Sequence, residues 1–313
     1  MTTSDTPLFV VCNRASGSGD TDEARANIER VLTAARREHE LFLVEDPKEL
    51  PMIARRAAEA ATARGGAVVA VGGDGTINTV AQATLLAGLP FGIIPQGTFN
   101  YSSRAHGIPS DVRAATTALL SARIKPIQVG EVNDRIFLVN AGLGLYPRIL
   151  EDREKFKAQY GRYQAVAIWA GLTTLAHWRH QLALEIVHDH QREIVHTPTL
   201  FIGNNPLQLE QVGLPEAEAV HHRRLAAVVI APVSPFGMLG LALRGAAGRL
   251  GAASGVRDFA FRELVVRPMH GTGRRRMRLA VDGEVHFMAP PLNFRVARTP
   301  LNLLVPASQT SED

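Results

Sequence analysis

The sequence lacks the features of secreted, fibrous and disordered proteins. Its 313 residues include a single cysteine, Cys12, which cannot form an internal disulfide. Glycine and proline are not in excess, at 27 and 18 residues, so a fibrous or largely disordered chain is not indicated. Residues 1–8 have no apolar stretch behind a basic start of the kind that directs export. We therefore expect a globular protein in a reducing, cytoplasmic environment.

One uncharged segment approaches the length of a membrane-spanning helix. It runs from Leu225 to Leu243 without a charged residue. Pro232, Pro235 and Gly237 interrupt it, and its first part is rich in β-branched residues. We predict a buried strand, a turn and a packed helix here rather than a membrane span.

The first 126 residues alternate apolar runs with amphipathic segments, which is typical of a parallel sheet with helices on its faces. Four strands are predicted, at Leu8–Cys12, Leu41–Val44, Ala67–Val71 and Phe91–Ile94. From about Lys125 the segments become β-rich, so we place a domain boundary near Pro126. We predict a β-sandwich with inserted helices over residues 127–306 and a disordered tail at 307–313.

A glycine-rich turn follows the third predicted strand and opens a helix. It consists of Gly72, Gly73, Asp74, Gly75 and Thr76. Glycines let backbone N–H groups approach a phosphate, and a helix N-terminus adds partial positive charge. Asp74 places a carboxylate where a phosphate would sit, which indicates a bridging Mg²⁺. A plain strand-to-helix turn is the alternative interpretation.

Two further turns follow strands in the same half of the chain, at residues 13–19 and 95–100. Ligands of open parallel sheets collect at the carboxyl ends of the strands, so the three turns can line one nucleotide site. The glycine turn is not a Walker loop, because it lacks Gly-Lys-Ser/Thr, and it does not fit the dinucleotide fingerprint.

Four motifs together resemble the diacylglycerol kinase catalytic family, which includes bacterial lipid kinases, sphingosine kinases and ceramide kinases. The motifs are Asn13-Arg14-Ala15-Ser16-Gly17, Gly72-Gly73-Asp74-Gly75-Thr76-Ile77-Asn78, Gly97-Thr98-Phe99-Asn100 and Asp282-Gly283-Glu284. The resemblance covers most of the chain in order and spacing. It implies a nucleotide-binding α/β domain, a β-sandwich domain and an active site in the cleft between them. It also implies that ATP or its Mg²⁺ contacts Asn13, Ser16, Gly72, Gly73, Asp74, Gly75, Thr76, Asn78 and Thr98.

The segment Asp282-Gly283-Glu284 has two compatible interpretations. Asp-Gly is a strong hairpin signal between the strand-like runs at residues 277–281 and 285–288. A positioned carboxylate can also take the proton of a hydroxyl that attacks the γ-phosphate. The resemblance implies that the proton acceptor lies in this segment. The sequence does not distinguish Asp282 from Glu284.

Two positions depart from the family pattern. Gln128 stands where many members have an aspartate near the domain junction. His221 and His222, with Arg223 and Arg224, stand where an Asp-Gly-containing strand start often helps to bind a structural Mg²⁺. Amide and cationic side chains are poor substitutes for hard anionic ligands, so the sequence leaves this second metal site open.

The leading hypothesis is a lipid kinase of phospholipid biosynthesis that uses ATP and Mg²⁺, with Asp74 as the metal ligand. We expect a cytoplasmic protein that meets its lipid substrate peripherally at the inner membrane face. The mildly basic composition favours anionic partners, but we do not expect nucleic acid among them. The alternatives are an NAD kinase-like phosphotransferase and a non-catalytic relative that binds nucleotide or lipid. The acceptor lipid and a homodimeric state stay open.

Overall fold

The structure is a computed structural model, and it describes residues 5–14, 21–160, 181–189, 191–269 and 276–307. The chain divides into two compact units. The first unit extends to Gln128 and resumes at Arg298, and the second comprises Val129–Ala297.

The first unit is built on a six-stranded sheet covered by helices. Its strands are β1 (Leu8–Asn13), β2 (His39–Val44), β3 (Ala67–Gly72), β4 (Pro90–Pro95), β5 (Arg123–Ile127) and β18 (Leu301–Val305). Its described helices are α1 (Thr21–Ala34), α2 (Leu50–Ala63), α3 (Asp74–Leu86), α4 (Tyr101–Arg104) and α5 (Val112–Leu120), with a 3₁₀ turn at Pro47–Glu49. The four strands predicted from the sequence are confirmed.

The strand order of this sheet is β2-β1-β3-β4-β18-β5, and all strands except β5 are parallel. Every residue of β1 and β3 is buried, as expected for strands with helices on both faces. Helix α2 packs against α3, and α1 packs against α5. The chain moves one way across the sheet after β1 and the other way after β3, so a topological switch point lies between these strands.

Register brings the ends of three strands to one edge of this sheet. Cys12 of β1 pairs with Val71 of β3, and Gly72 of β3 pairs with Pro95 of β4. The turns that follow β1, β3 and β4 therefore leave the sheet side by side. This is the edge at which open parallel sheets bind ligands.

Strand β18 corrects the sequence-based domain assignment. The prediction gave residues 127–306 to the second domain, but β18 lies between β4 and β5 in the first sheet. Four of its five residues are at most 3% exposed. An apolar run of this kind indicates a buried strand, but its local pattern does not encode which sheet it joins. The first boundary falls at Gln128, close to the predicted Pro126. Residues 308–313 of the predicted tail lie outside the described residues.

The second unit is a sandwich of two antiparallel sheets. One sheet consists, in order, of β10 (Gln191–Thr197), β9 (Leu182–His188), β14 (Glu263–Pro268), β17 (Leu292–Val296), β6 (Gly130–Val132) and β7 (Arg135–Phe137). The other consists of β13 (Val256–Phe261), β12 (Leu225–Ile230), β11 (Thr199–Gly203), β8 (Asn140–Gly144), β15 (Met277–Val281) and β16 (Glu284–Met288). Its described helices are α6 (Leu145–Tyr160), α7 (Pro206–Gln211), α8 (Ala217–His221) and α9 (Pro235–Ala246).

A single apolar core joins the two sheets. Ile186 and Phe294 of one sheet pack in the same buried cluster as Leu200 and Leu279 of the other. The predicted sandwich is confirmed. The uncharged segment that begins at Leu225 forms β12, a turn and α9, as expected. Within the parts of the chain that the structure describes, no helix is both long and apolar enough to cross a membrane.

Candidate functional site

The glycine turn lies between β3 and α3 in the first unit. Strand β3 ends at Gly72, Gly73 is the N-cap with extended backbone (φ −81°, ψ 178°), and the helix begins at Asp74. Gly73 has no side chain with which to cap the helix. The N–H groups of the first helical turn, which have no intrahelical acceptor, are therefore left for an anionic ligand.

Asp74 carries a carboxylate oxygen that has no donor. Its Oδ1 is buried and has no hydrogen-bond partner within the described residues. Burial raises the pKa of Asp74, and a hydrogen bond from the backbone of Asn100 to the carboxylate opposes that shift. A buried carboxylate oxygen without a donor costs free energy that a cation would relieve.

The Asp74 carboxylate fits a divalent cation of the Mg²⁺ type. Mg²⁺ prefers oxygen ligands and commonly uses one or two carboxylates together with substrate phosphates and water. Among the described residues there is no group of three or more His, Cys, Asp or Glu side chains that could form an all-protein cage.

A hydrogen bond joins the turn after β1 to the glycine turn. Asn13, the last residue of β1, is only 7% exposed, and its Nδ2 donates to Oγ1 of Thr76 over 2.9 Å. Asn78 is also buried, in the second turn of α3. Ser16, the other predicted residue of the first turn, lies outside the described residues.

The turn after β4 is closed by Asn100. Its Oδ1 accepts from the N–H of Gly97 (3.0 Å), and its Nδ2 donates to the Gly97 carbonyl (2.7 Å). Asn100 adopts a left-handed conformation (φ 48°, ψ 41°) that asparagine tolerates better than most residues. The N–H of Gln96 donates to the Gly72 carbonyl over 2.8 Å, so this turn is attached to the glycine turn.

Gly97 is required by close backbone packing. A Cβ at this position would lie 3.1 Å from the Cα of Gly73 and 2.7 Å from Oδ1 of Asn100. The following residue, Thr98, is exposed on the same turn. The structure thus brings the described nucleotide-site candidates of the first unit to one sheet edge and the adjoining end of α3. The sequence indicates the positioning role of Asn100 only through the tolerance of asparagine for left-handed backbone.

The predicted hairpin in the second unit is confirmed. Asp282 and Gly283 connect β15 to β16, and both have positive φ, at 44° and 87°. Positive φ at both central residues is the property of the tight hairpin turn that Asp-Gly favours. Glu284 is the first residue of β16.

Asp282 is buried and its carboxylate binds backbone donors. It is 6% exposed. Oδ2 accepts from the N–H of Leu138 (2.6 Å), and Oδ1 accepts from the N–H groups of Val139 and Asn140, both over 2.9 Å. Charge-assisted hydrogen bonds of this kind are among the stronger ones in proteins. Asp282 therefore fixes the start of β8, which the sequence could not indicate because the donors lie more than 140 residues away.

Glu284 has a different environment from Asp282. Its side chain is 50% exposed, and its Oε2 lies 3.7 Å from Nε2 of His286 on the same strand. Burial raises the pKa of Glu284, and the positive charge of Arg135 opposes that shift. Burial and Arg135 lower the pKa of His286 to about 4, so this imidazole is neutral at pH 7. Of the two acids, Glu284 is the one that a hydroxyl could approach.

Residues 7–132 match the model of the diacylglycerol kinase catalytic domain. These residues belong to that family. The matched segment contains the turns after β1, β3 and β4 and ends with the last residue of β6, the first strand of the second unit.

Curated relatives of this diacylglycerol kinase catalytic domain align with part of the chain. The "Diacylglycerol kinase" of Bacillus subtilis (strain 168) is 37% identical over 110 residues, which are 34% of this chain and 36% of the relative. The "Probable lipid kinase YegS-like" of Serratia proteamaculans (strain 568) is 34% identical over 163 residues, which are 50% of this chain and 51% of the relative. The chain thus aligns with about a third to a half of the length of these relatives.

The fold extends the similarity to both units. A solved structure of a diacylglycerol kinase from Bacillus anthracis str. Sterne matches with a TM-score of 0.69 over 96% of this chain and 97% of that one. The sequence identity is 17%, so this likeness concerns the fold.

Proposed function

We propose that the protein is a lipid kinase that transfers the γ-phosphate of ATP to a lipid hydroxyl with the help of Mg²⁺. The observation that carries the proposal is the buried, unpartnered Oδ1 of Asp74 at a helix N-terminus that no side chain caps. A cation and a polyphosphate would satisfy both groups together. The kinase family of residues 7–132 supports the same activity.

The first unit would hold the nucleotide. The N–H groups at the start of α3 would donate to phosphate oxygens, and the hydrogen bond between Asn13 and Thr76 would keep the neighbouring turns in place. When bound at Asp74, Mg²⁺ supplies positive charge beside the phosphates. Ser16 and Thr98 are proposed as further nucleotide contacts on the strength of the family motif.

Glu284 is proposed as the general base. The acceptor hydroxyl gives its proton to the Glu284 carboxylate as its oxygen forms a bond to the γ-phosphorus. The bond from the γ-phosphorus to the bridging oxygen breaks, and ADP leaves. The raised pKa makes the Glu284 carboxylate a stronger base than a fully solvated glutamate. Asp282, whose oxygens accept three backbone hydrogen bonds, would position the turn that carries Glu284.

The test is a transfer assay with the full chain. Labelled ATP, Mg²⁺ and a total lipid extract are incubated with the protein, and the labelled product is identified by mass. We expect a phosphorylated lipid with wild-type protein and none with Asp74→Asn. Asp111→Asn is the matched control, because Asp111 is the N-cap of α5 and asparagine caps helices equally well. Wild-type turnover by Asp74→Asn would refute the role of Asp74.

The same assay separates the alternatives. Transfer of label to NAD and not to lipid would identify an NAD kinase-like enzyme. Binding of ATP by calorimetry without transfer to any lipid would identify a non-catalytic member. We propose action in phospholipid biosynthesis at the inner face of the cytoplasmic membrane, which fractionation of cells would test.

A further inference from the structure

Helix α9 presents an apolar stripe to solvent. Phe236 is 87% exposed and Leu243 is 63% exposed, and Gly240 lies between them on the same helical face. On the opposite face, Met238 and Leu241 are 5% and 6% exposed. The helix is therefore apolar on both faces although only one of them is buried. Large exposed apolar side chains on one element are typical of an interaction surface.

The ends of α9 are anchored, so the exposed stripe is a fixed feature of the second unit. Before the N-terminus, the N–H of Ala231 donates to the carbonyl of Gly255 over 2.7 Å. Beyond the C-terminus, the N–H of Leu250 donates to the carbonyl of Val212 over 2.9 Å. The helix cannot rotate to bury Phe236 without breaking these contacts.

The charged residues of the segment that contains α9 are arginines. Residues 219–257 contain no aspartate or glutamate and five arginines. Two of them, Arg244 and Arg249, are exposed at the C-terminal end of α9. An exposed apolar stripe with two exposed arginines at one end complements a surface that is apolar inside and negatively charged at its rim.

A bilayer containing anionic lipid has these properties. We propose that α9 docks the protein on an anionic lipid bilayer, with Phe236 and Leu243 among the acyl chains and Arg244 and Arg249 at the phosphate layer. At 12 residues the helix is about 18 Å long, too short to cross a bilayer but suited to lie in its interface. A second copy of the chain is a poorer occupant, because two such faces would bring like charges together.

The biological role of this membrane binding rests on the proposed function, because a lipid kinase must reach a substrate held in a bilayer. The binding itself requires no nucleotide. Binding to the bilayer can therefore be measured separately from phosphate transfer, and failure of one does not imply failure of the other.

The first experiment is co-sedimentation of the full chain, without nucleotide, with phosphatidylcholine vesicles that contain or lack phosphatidylglycerol. We expect binding to the anionic vesicles, weakened about tenfold or more in the double variant Phe236→Ser/Leu243→Ser. We expect a loss of about fivefold for each arginine in Arg244→Gln and Arg249→Gln. Leu86→Ser is the matched control, because Leu86 is 78% exposed on α3 of the first unit and should not affect binding.

A second measurement reports the insertion of α9 directly. Cys12 is buried, and burial raises the pKa of its thiol to about 12, so a cysteine introduced by Leu243→Cys can be labelled selectively with an environment-sensitive fluorophore. We expect a blue shift of the label on addition of anionic vesicles and none with a Leu86→Cys label.

Two results would overturn the proposal. One is wild-type sedimentation by the double variant together with an unshifted Leu243→Cys label. The other is a wild-type dimer in light scattering that the double variant abolishes while vesicle binding is unchanged, which would identify a second copy as the occupant of the stripe.

Discussion

The side-chain amide of Asn13 donates a hydrogen bond to the hydroxyl of Thr76, which lies 63 residues further along the chain. The bond connects the end of β1 to the first turn of α3 across the topological switch point. It adds a side-chain contact to the parallel pairing of β1 with β3, which holds the ends of the two strands side by side.

Replacing the Thr76 hydroxyl should loosen the site. Thr76→Val keeps the shape of the side chain and removes the acceptor of the Asn13 amide. We expect the free energy of unfolding to fall by about 1–3 kcal/mol and the affinity for ATP to weaken. Urea denaturation and calorimetry measure the two effects. Thr76→Ser, which retains the hydroxyl, should behave like wild type, and equal stability of both variants would contradict the assigned contact.

Gly97 should not tolerate a side chain. In Gly97→Ala the added Cβ would meet Oδ1 of Asn100 and the Cα of Gly73, so the turn after β4 must move. We expect a loss of stability of about 1–3 kcal/mol and weaker ATP binding. Gly240→Ala is the control, because the space around Gly240 is open and alanine favours a helix interior by about 0.5–1 kcal/mol. A Gly97→Ala protein with wild-type stability and ATP affinity would argue against a tight contact between the turns.

Asp282 and Glu284 of the hairpin should contribute to different properties, Asp282 to stability and Glu284 to turnover. Asp282→Asn replaces a carboxylate that accepts three backbone hydrogen bonds, so we expect the free energy of unfolding to fall by about 2–4 kcal/mol. Glu284→Gln should change stability by less than about 0.5 kcal/mol and lower kcat by about 100-fold or more. Denaturation curves and turnover numbers of the two variants provide the comparison. The opposite pattern would make Asp282 the base.

The pH dependence of transfer should report Glu284. A base must be deprotonated, so kcat/KM falls as pH drops through its pKa, and the raised pKa of Glu284 places this acidic limb above the usual range for a glutamate. Arg135 lowers that pKa, so its removal in Arg135→Met should move the limb to higher pH. Arg135→Lys keeps the charge and should leave the limb near its wild-type position. An acidic limb that is unchanged in Arg135→Met would assign it to another group.

Much of the fold could be predicted because its determinants are local. The apolar runs of β1 and β3 and the glycine turn after Gly72 lie next to one another in sequence, and each carries its own pattern. The partner of β18 could not be predicted in this way. Its five residues indicate a buried strand, but the choice between two sheets depends on packing against β4 and β5, which are more than 170 residues away.

In the candidate site, too, the features that depend on local sequence could be predicted and those that depend on distant residues could not. The position of Asp74 follows from the strand, the glycines and the helix around it. The separation of Asp282 from Glu284 does not, because it depends on the N–H groups of residues 138–140, which no hairpin pattern reveals. Asn100 belongs to one of the family motifs. Its two hydrogen bonds to Gly97 could not be predicted from that motif, because they depend on the backbone conformation of the turn.

The place of β18 has a consequence for synthesis on the ribosome. Among the described strands of the first sheet, β5 pairs only with β18, and β4 has β18 on one side. Until residues 301–305 emerge, the nascent chain must hold an unfinished sheet with an open edge at β4 while the whole second unit is translated. Such edges invite pairing with other chains, so this protein should rely on chaperones during synthesis, and a premature stop before residue 301 should yield aggregates rather than a working half.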